Sequence, residues 1–162
     1  MAVIGIDPGT AITGFGIIAQ ADDGELSTPA YGVIRTDKGL RPEERLAVLY
    51  GRLGEILNEH RPEHGAVERL YFQQNVRTAI AVGEARGVIL LALAQAGIPA
   101  YEYNPMDVKQ AVAGYGRADK RQVQEMTRVL LGLERVPWPD DAADALAIAI
   151  CHIHSHRIRG LA

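Results

Sequence analysis

One cysteine is all that the 162 residues contain. A lone Cys151 excludes an intrachain disulfide and any multi-cysteine zinc site, which fits a reducing compartment. The cytoplasm is the expected location. Long apolar runs are missing too: the longest, such as Gly87 to Ala94, fall far short of the ~18 residues that a membrane span needs. Met1 to Asp7 lacks a basic leader-like start and is interrupted by the carboxylate at position 7, so no export is expected. Repeats, low-complexity tracts and linkers are absent, and the length favours a single folded domain over residues 1–162.

A net basic charge is also lacking, since 17 Lys and Arg face 20 Asp and Glu, a formal charge of −3. The average conceals a segregation. Residues 69–135 carry nine bases and six acids, a surplus of +3, while the remainder stands at −6. A basic face is therefore available to a polyanion on an acidic chain, and nucleic acid stays open as a partner. Apolar residues at 48% and charged residues at 23% give a globular balance,.

Aliphatic runs at Ala2 to Asp7 and Ile12 to Ala19 flank Pro8-Gly9-Thr10, which suits a tight reversal. Asp22-Asp23-Gly24 marks a second turn, and Tyr31 to Thr36 supplies a third strand of an antiparallel meander. From Glu43 the apolar spacing changes to three and four (Leu46, Leu49, Leu53, Ile56, Leu57), the mark of a helix that Pro62 stops. Gly65 to Leu70 reads as a strand, Thr78 to Gln95 as a helix, and Pro99 to Tyr103 as a fifth strand. Three more helices are expected: one from about Met106, one between Lys120 and Leu131, and one from Asp141 to His156. The helix at 78–95 is apolar on nearly every side in its second half, as for a helix buried on two sides, which suggests a dimer contact. The order βββαβαβααα points to a mixed α/β sheet covered by helices.

Four acids stand where folding alone does not ask for them. Asp7 and Glu68 close apolar strands that become neighbours if paired in parallel, and Asp141 and Asp144 share one face of a helix. Two carboxylates about 4 Å apart repel by ~4 kcal/mol at an effective dielectric near 20, so four together call for cations or protons. All-oxygen ligands suit Mg2+ or Mn2+, and two such ions clamp a phosphodiester for in-line attack by water. Plainer readings exist for each acid. Asp7 before Pro-Gly also makes a turn, Glu68 also serves as a solvated tip or a partner of Arg69, and Asp140 and Asp141 also cap a helix. Asp144 is harder to dismiss, because it interrupts the apolar stretch from Ala142 to Ile150.

Together, Gly5-Ile6-Asp7-Pro8-Gly9, Gly14-Phe15-Gly16, Glu68 after a strand, Gly83-Glu84-Ala85-Arg86-Gly87, Val108-Lys109-Gln110 with Lys120, and Asp141-Ala142-Ala143-Asp144-Ala145-Leu146-Ala147 resemble the RuvC family of Holliday junction resolvases. The likeness spans nearly the whole chain. It implies an RNase H-like fold: a five-stranded mixed sheet, antiparallel meander plus parallel strands, flanked by helices. It implies a homodimer that cuts four-way DNA junctions by two symmetric nicks, leaving 5'-phosphate and 3'-hydroxyl ends. Asp7, Glu68, Asp141 and Asp144 match the family's catalytic, metal-holding acids, with two Mg2+ or Mn2+ per site. A branch-migration helicase complex of the RuvA and RuvB type is the implied partner.

Lys109 and Lys120 match basic positions that the family uses to hold DNA. Arg77, Arg117 and Arg121 are further phosphate-contact candidates, and Asn75 belongs to a polar loop able to touch a strand crossover. An aromatic at Tyr71 or Phe72 either stacks on an unpaired base or fills core. His152, His154 and His156 include two imidazoles at a helical spacing of four, which suits a metal, but near the chain terminus they read rather as surface residues. Rival functions are an RNase H-like nuclease for RNA or RNA-DNA hybrids, a junction-binding scaffold without catalysis, and an actin-like or sugar-kinase ATPase, whose two-domain build 162 residues do not supply,.

Overall fold

The computed structural model describes residues 1–70 and 75–160. Within them the elements are β1 (Ala2–Asp7), β2 (Ile12–Gln20), β3 (Leu26–Arg35), α1 (Pro42–His60), β4 (His64–Glu68), α2 (Val76–Gln95), β5 (Ala100–Tyr103), α3 (Pro105–Ala113), α4 (Lys120–Leu130) and α5 (Asp140–Gly160). The order is the one expected from the sequence. The strands form one sheet, β3-β2-β1-β4-β5. β1 to β3 pair antiparallel, whereas β4 and β5 run parallel to β1. This is the RNase H-like arrangement.

Two boundaries move for local reasons. β3 starts five residues before Tyr31, because Thr28-Pro29 falls where its register against β2 slips between Ile17 and Ala19. A proline is tolerated at such an irregularity on an edge strand. Helix α2 begins at Val76 because the Asn75 side chain accepts from the backbone N–H groups of Arg77 and Thr78, at 3.1 and 3.4 Å. That cap satisfies donors the first turn leaves orphaned.

Alternation along the strands divides the core into two layers. Ile4, Ile6, Ile17 and Val67 pack with Leu49, Leu53 and Leu57 of α1 and Ile89 and Leu93 of α2. Val3, Ile18 and Ala66 face the other way, into a cluster with α3, α4 and α5. The same period of two sends Asp7 and Glu68 to the α5 side. Helix α2 is covered on one side within the chain: Ile89 and Leu93 are buried, but Ile80 and Leu91 are 55% and 51% exposed. The expected two-sided burial is not met by this chain alone.

Small residues let α5 lie almost on the sheet. A Cβ built on Gly5 would stand 2.0 Å from the Ala145 carbonyl oxygen, and one on Gly14 would stand 1.9 Å from that of Asp141. Leu146 fills the space over Gly16, within 2.6 Å of such a Cβ. From Ala142 to Ile153 every residue but Asp144 is buried. We therefore expect Gly5→Ala to lose about 1–3 kcal/mol or more, through overpacking against backbone that has nowhere to go. Gly54, on the exposed surface of α1 with nothing within 4 Å, gives the contrast: Gly54→Ala should gain about 0.5–1 kcal/mol. Urea unfolding of both variants checks the pair.

Candidate active site

Asp7 ends β1 beside Gly14 of β2, and the turn between them is tied down. The Thr13 hydroxyl donates to the Gly9 carbonyl at 2.8 Å, and the Thr36 hydroxyl donates to the Thr10 carbonyl at 2.6 Å. Arg45 in turn donates to the Thr36 hydroxyl at 2.9 Å. The parallel register of β1 with β4 sets Ile6 beside Val67, so the next residues, Asp7 and Glu68, are neighbours. Arg69 does not serve Glu68; it pairs with Glu102 at 3.3 Å, and Arg86 reaches the same carboxylate.

Helix α5 brings the other two acids over this strand end. Asp141 lies against Gly14, and Asp144 is one turn further on. Asp140, 52% exposed, pairs with Lys120, while the Asp141 backbone and Cβ lie against Gly14. Burial pushes the Asp7 carboxyl up to about 8, helped by the charges of Glu68, Asp144 and Asp141, while Lys120 pulls the other way. Glu68 is raised chiefly by burial and by Asp144. Asp144 is raised by burial against the opposing pull of Lys120. A proton on Asp7 near neutral pH reflects first the burial of the carboxyl and then the uncompensated charges around it,.

Lys120 is the cation closest to these acids among the described ion pairs. Its Nζ lies 3.2 Å from Asp144 and 3.4 Å from Asp140. Burial opposes its charge, but the two carboxylates outweigh that and raise its pKa. Asp119 caps α4, accepting from the Gln122 N–H at 2.8 Å, which fixes Lys120 as the first helical residue. A lysine there opposes the helix dipole, and Asp140 and Asp144 offset the cost. Lys109, on α3, lines a cleft of about 250 Å³ with Glu68, Lys120 and Asp144. The sequence assigned Lys120 to DNA; here it also neutralises the acids, a role that no sequence spacing signals.

The remaining candidates stand apart. Arg117 and Arg121 are exposed on the α3–α4 side, and Arg77 is exposed at the start of α2. Asn75 is occupied in capping that helix. Tyr71 and Phe72 lie outside the described residues. The imidazole expected at the surface, His152, is instead buried, 1% exposed. Sequence reasoning missed it because α5 runs under the sheet to its C-terminal turns.

A mixed sheet that ends in clustered carboxylates, with lysines at the rim, defines an RNase H-like nuclease. Residues 3–152 match the family model for the crossover junction endodeoxyribonuclease RuvC. A curated RuvC from Pelotomaculum thermopropionicum is 56% identical, over 96% of this chain and 94% of its own. Thermus thermophilus RuvC superposes with a TM-score of 0.92 at 40% identity, covering 98% of this chain and 97% of that one. The same protein in complex with Holliday junction substrate gives a TM-score of 0.89 at 38% identity, over 98% and 96%. The chain belongs to the RuvC crossover junction endodeoxyribonuclease family, and is thus an endonuclease that resolves Holliday junctions in recombination and repair.

The Asp7 carboxyl gives a pH test in the absence of divalent cations. Its folded pKa lies above the ordinary 3.8, at about 8. Between those values the folded state binds more protons than the unfolded one, so this group erodes stability as pH rises from about 4 to 8. Asp7→Asn should remove that erosion, with a gain on the order of a few kcal/mol at pH 8 and almost none at pH 4. Denaturation in EDTA at both pH values measures it; equal gains at the two would contradict the charge assignment.

Proposed function

We propose that this chain cuts four-way DNA junctions at the site built by Asp7, Glu68, Asp141 and Asp144, acting as one domain over residues 1–162. The observation that carries the reading is the convergence of acids at one strand end, Asp7 beside Glu68 in parallel register and α5 laid against Gly14 above them, where burial and neighbouring charge raise the Asp7 carboxyl to about 8. Such a pocket wants divalent cations, and its all-oxygen donor set fits Mg2+ or Mn2+, two per site. Bound among these carboxylates, the ions would supply charge neutralisation and Lewis-acid activation at the scissile phosphate.

The chain's own groups do the rest. Lys120 holds Asp144 in place and gives it up to a stronger cation. Lys109, on the wall of the same cleft, accepts a phosphate of the substrate backbone, and Arg117 and Arg121 extend that contact outward,. Arg77, Asn75, Tyr71 and Phe72 flank or precede the start of α2, where a crossover strand would pass. The products are 5'-phosphate and 3'-hydroxyl ends.

Two matching nicks require two sites related by symmetry, and a homodimer supplies them. The exposed apolar side of α2, with Ile80 and Leu91, is the face that favours it. No helix among the described residues is long and apolar enough to cross a membrane. The reading includes a cytoplasmic setting and work beside a branch-migration helicase of the RuvA and RuvB type.

A synthetic mobile four-way junction with Mg2+ or Mn2+ should receive paired, symmetric nicks while linear duplex stays nearly intact. Equal cutting of both would remove the junction reading. Asp7→Asn should lower cutting at least ~100-fold and leave junction binding in place. Lys109→Ala should weaken binding and reduce its logarithmic salt slope by about 0.9. Gel-shift titrations at several salt concentrations read that slope.

A further inference from the structure

Far from the carboxylates, three imidazoles meet on the same two elements. His64 opens β4 opposite Val3 and points to the α5 side, where His152 and His156 stand one helical turn apart. One nitrogen from each ring lies within 4.8 Å of the others. His64 Nδ1 and His152 Nε2 are 2.9 Å apart. The ring centroids are 5.0 Å apart for His64 with His152, 5.0 Å for His64 with His156, and 5.6 Å for the nearly stacked His152 and His156.

A buried histidine that merely satisfies its hydrogen bonds needs two partners, and His152 has them in Tyr103 and His64. His156, four residues on along the same helix face, adds a third ring that lies nearly stacked on His152,. The arrangement has the features of a ligand set. The Tyr103 hydroxyl lies 2.8 Å from His152 Nδ1, on the outer side of the ring, which leaves Nε2 directed at the centre of the group. An outer partner of this kind is what orients a metal-bound imidazole. His64 is kept neutral, and so able to coordinate, first by burial and then by the neighbouring His156. His156 is exposed and leaves a way in from solvent.

We propose that His64, His152 and His156 bind one zinc-class divalent cation. Three neutral nitrogens select a borderline ion such as Zn2+ or Co2+ over Mg2+. Bonds of ~2.0 Å place tetrahedral ligands roughly 3.3 Å apart, within the span from 2.9 to 4.8 Å that the three nitrogens already cover. Solvent on the His156 side provides a water for the fourth position. Such an ion pins the first residue of β4 to α5. Glu68 and Asp144 lie at the other end of these elements, about 12 Å away along the helix by its 1.5 Å rise per residue. The clamp would thus fix the relative position of two elements that carry the acids without touching the acids.

The test uses the whole chain, freed of metal and held in excess Mg2+ to fill the carboxylate site. Titration with Co2+ should give one equivalent per chain, with the intense visible absorption of a tetrahedral nitrogen-ligated ion, and Zn2+ should displace it and raise the Tm. His156→Ala, at an exposed position, and His64→Gln should each weaken binding at least 10-fold, with the Mg2+-supported nuclease activity retained. The cobalt signal should survive Asp7→Asn. Absence of binding at tens of micromolar Co2+, unchanged affinity in both histidine variants, or loss of the signal in Asp7→Asn would overturn the proposal.

Discussion

Mutual repulsion among carboxylates is the constraint around which this fold is arranged. Asp7 and Glu68 are delivered by two parallel neighbours in the sheet, and Asp141 and Asp144 by a helix laid across them. Burial at this strand end, reinforced by the charges of Glu68, Asp144 and Asp141, lifts Asp7 to about 8. The apolar layers on both faces of the sheet supply the free energy that holds them there,. Lys120 relieves part of the strain, and the remainder is an attraction for divalent cations. Affinity for metal and cost to folding are the same quantity viewed from two sides.

Glycine and alanine are what make the approach of α5 possible. Gly5, Gly14 and Gly16 leave no room for even a methyl group between the sheet and the α5 backbone. The motif glycines are therefore packing requirements of the site, since any side chain at Gly14 would push Asp141 outward. The alanines of α5 complete this contact from the other side.

Much of the architecture was legible in the sequence. The aliphatic run at Ala2 to Asp7 and the three-and-four spacing after Glu43 gave their elements correctly, and the position of Asp144 inside an apolar helix marked it as a charge with a task. The missing parts depend on tertiary placement. Pro29 hid the first half of β3, because a proline in a strand is confined to edges and irregularities, and both depend on how the strands pair,. His152 looked like a terminal surface residue, since nothing local reveals that α5 stays buried for so many turns. The link from Lys120 to Asp144 joins two helices far apart in sequence and had no signal in spacing.

β4 and α5 emerge as the shared frame of the molecule, with oxygen donors at one end and nitrogen donors at the other. Nuclease chemistry here requires the oxygen end to be a metal pocket made by all four acids. Anomalous diffraction from crystals grown with Mn2+ addresses that directly. Two manganese peaks bounded by Asp7, Glu68, Asp141 and Asp144 are expected, with Lys120 displaced from Asp144. Manganese bound elsewhere, or these four side chains turned away from one another with no ion between them, would contradict it.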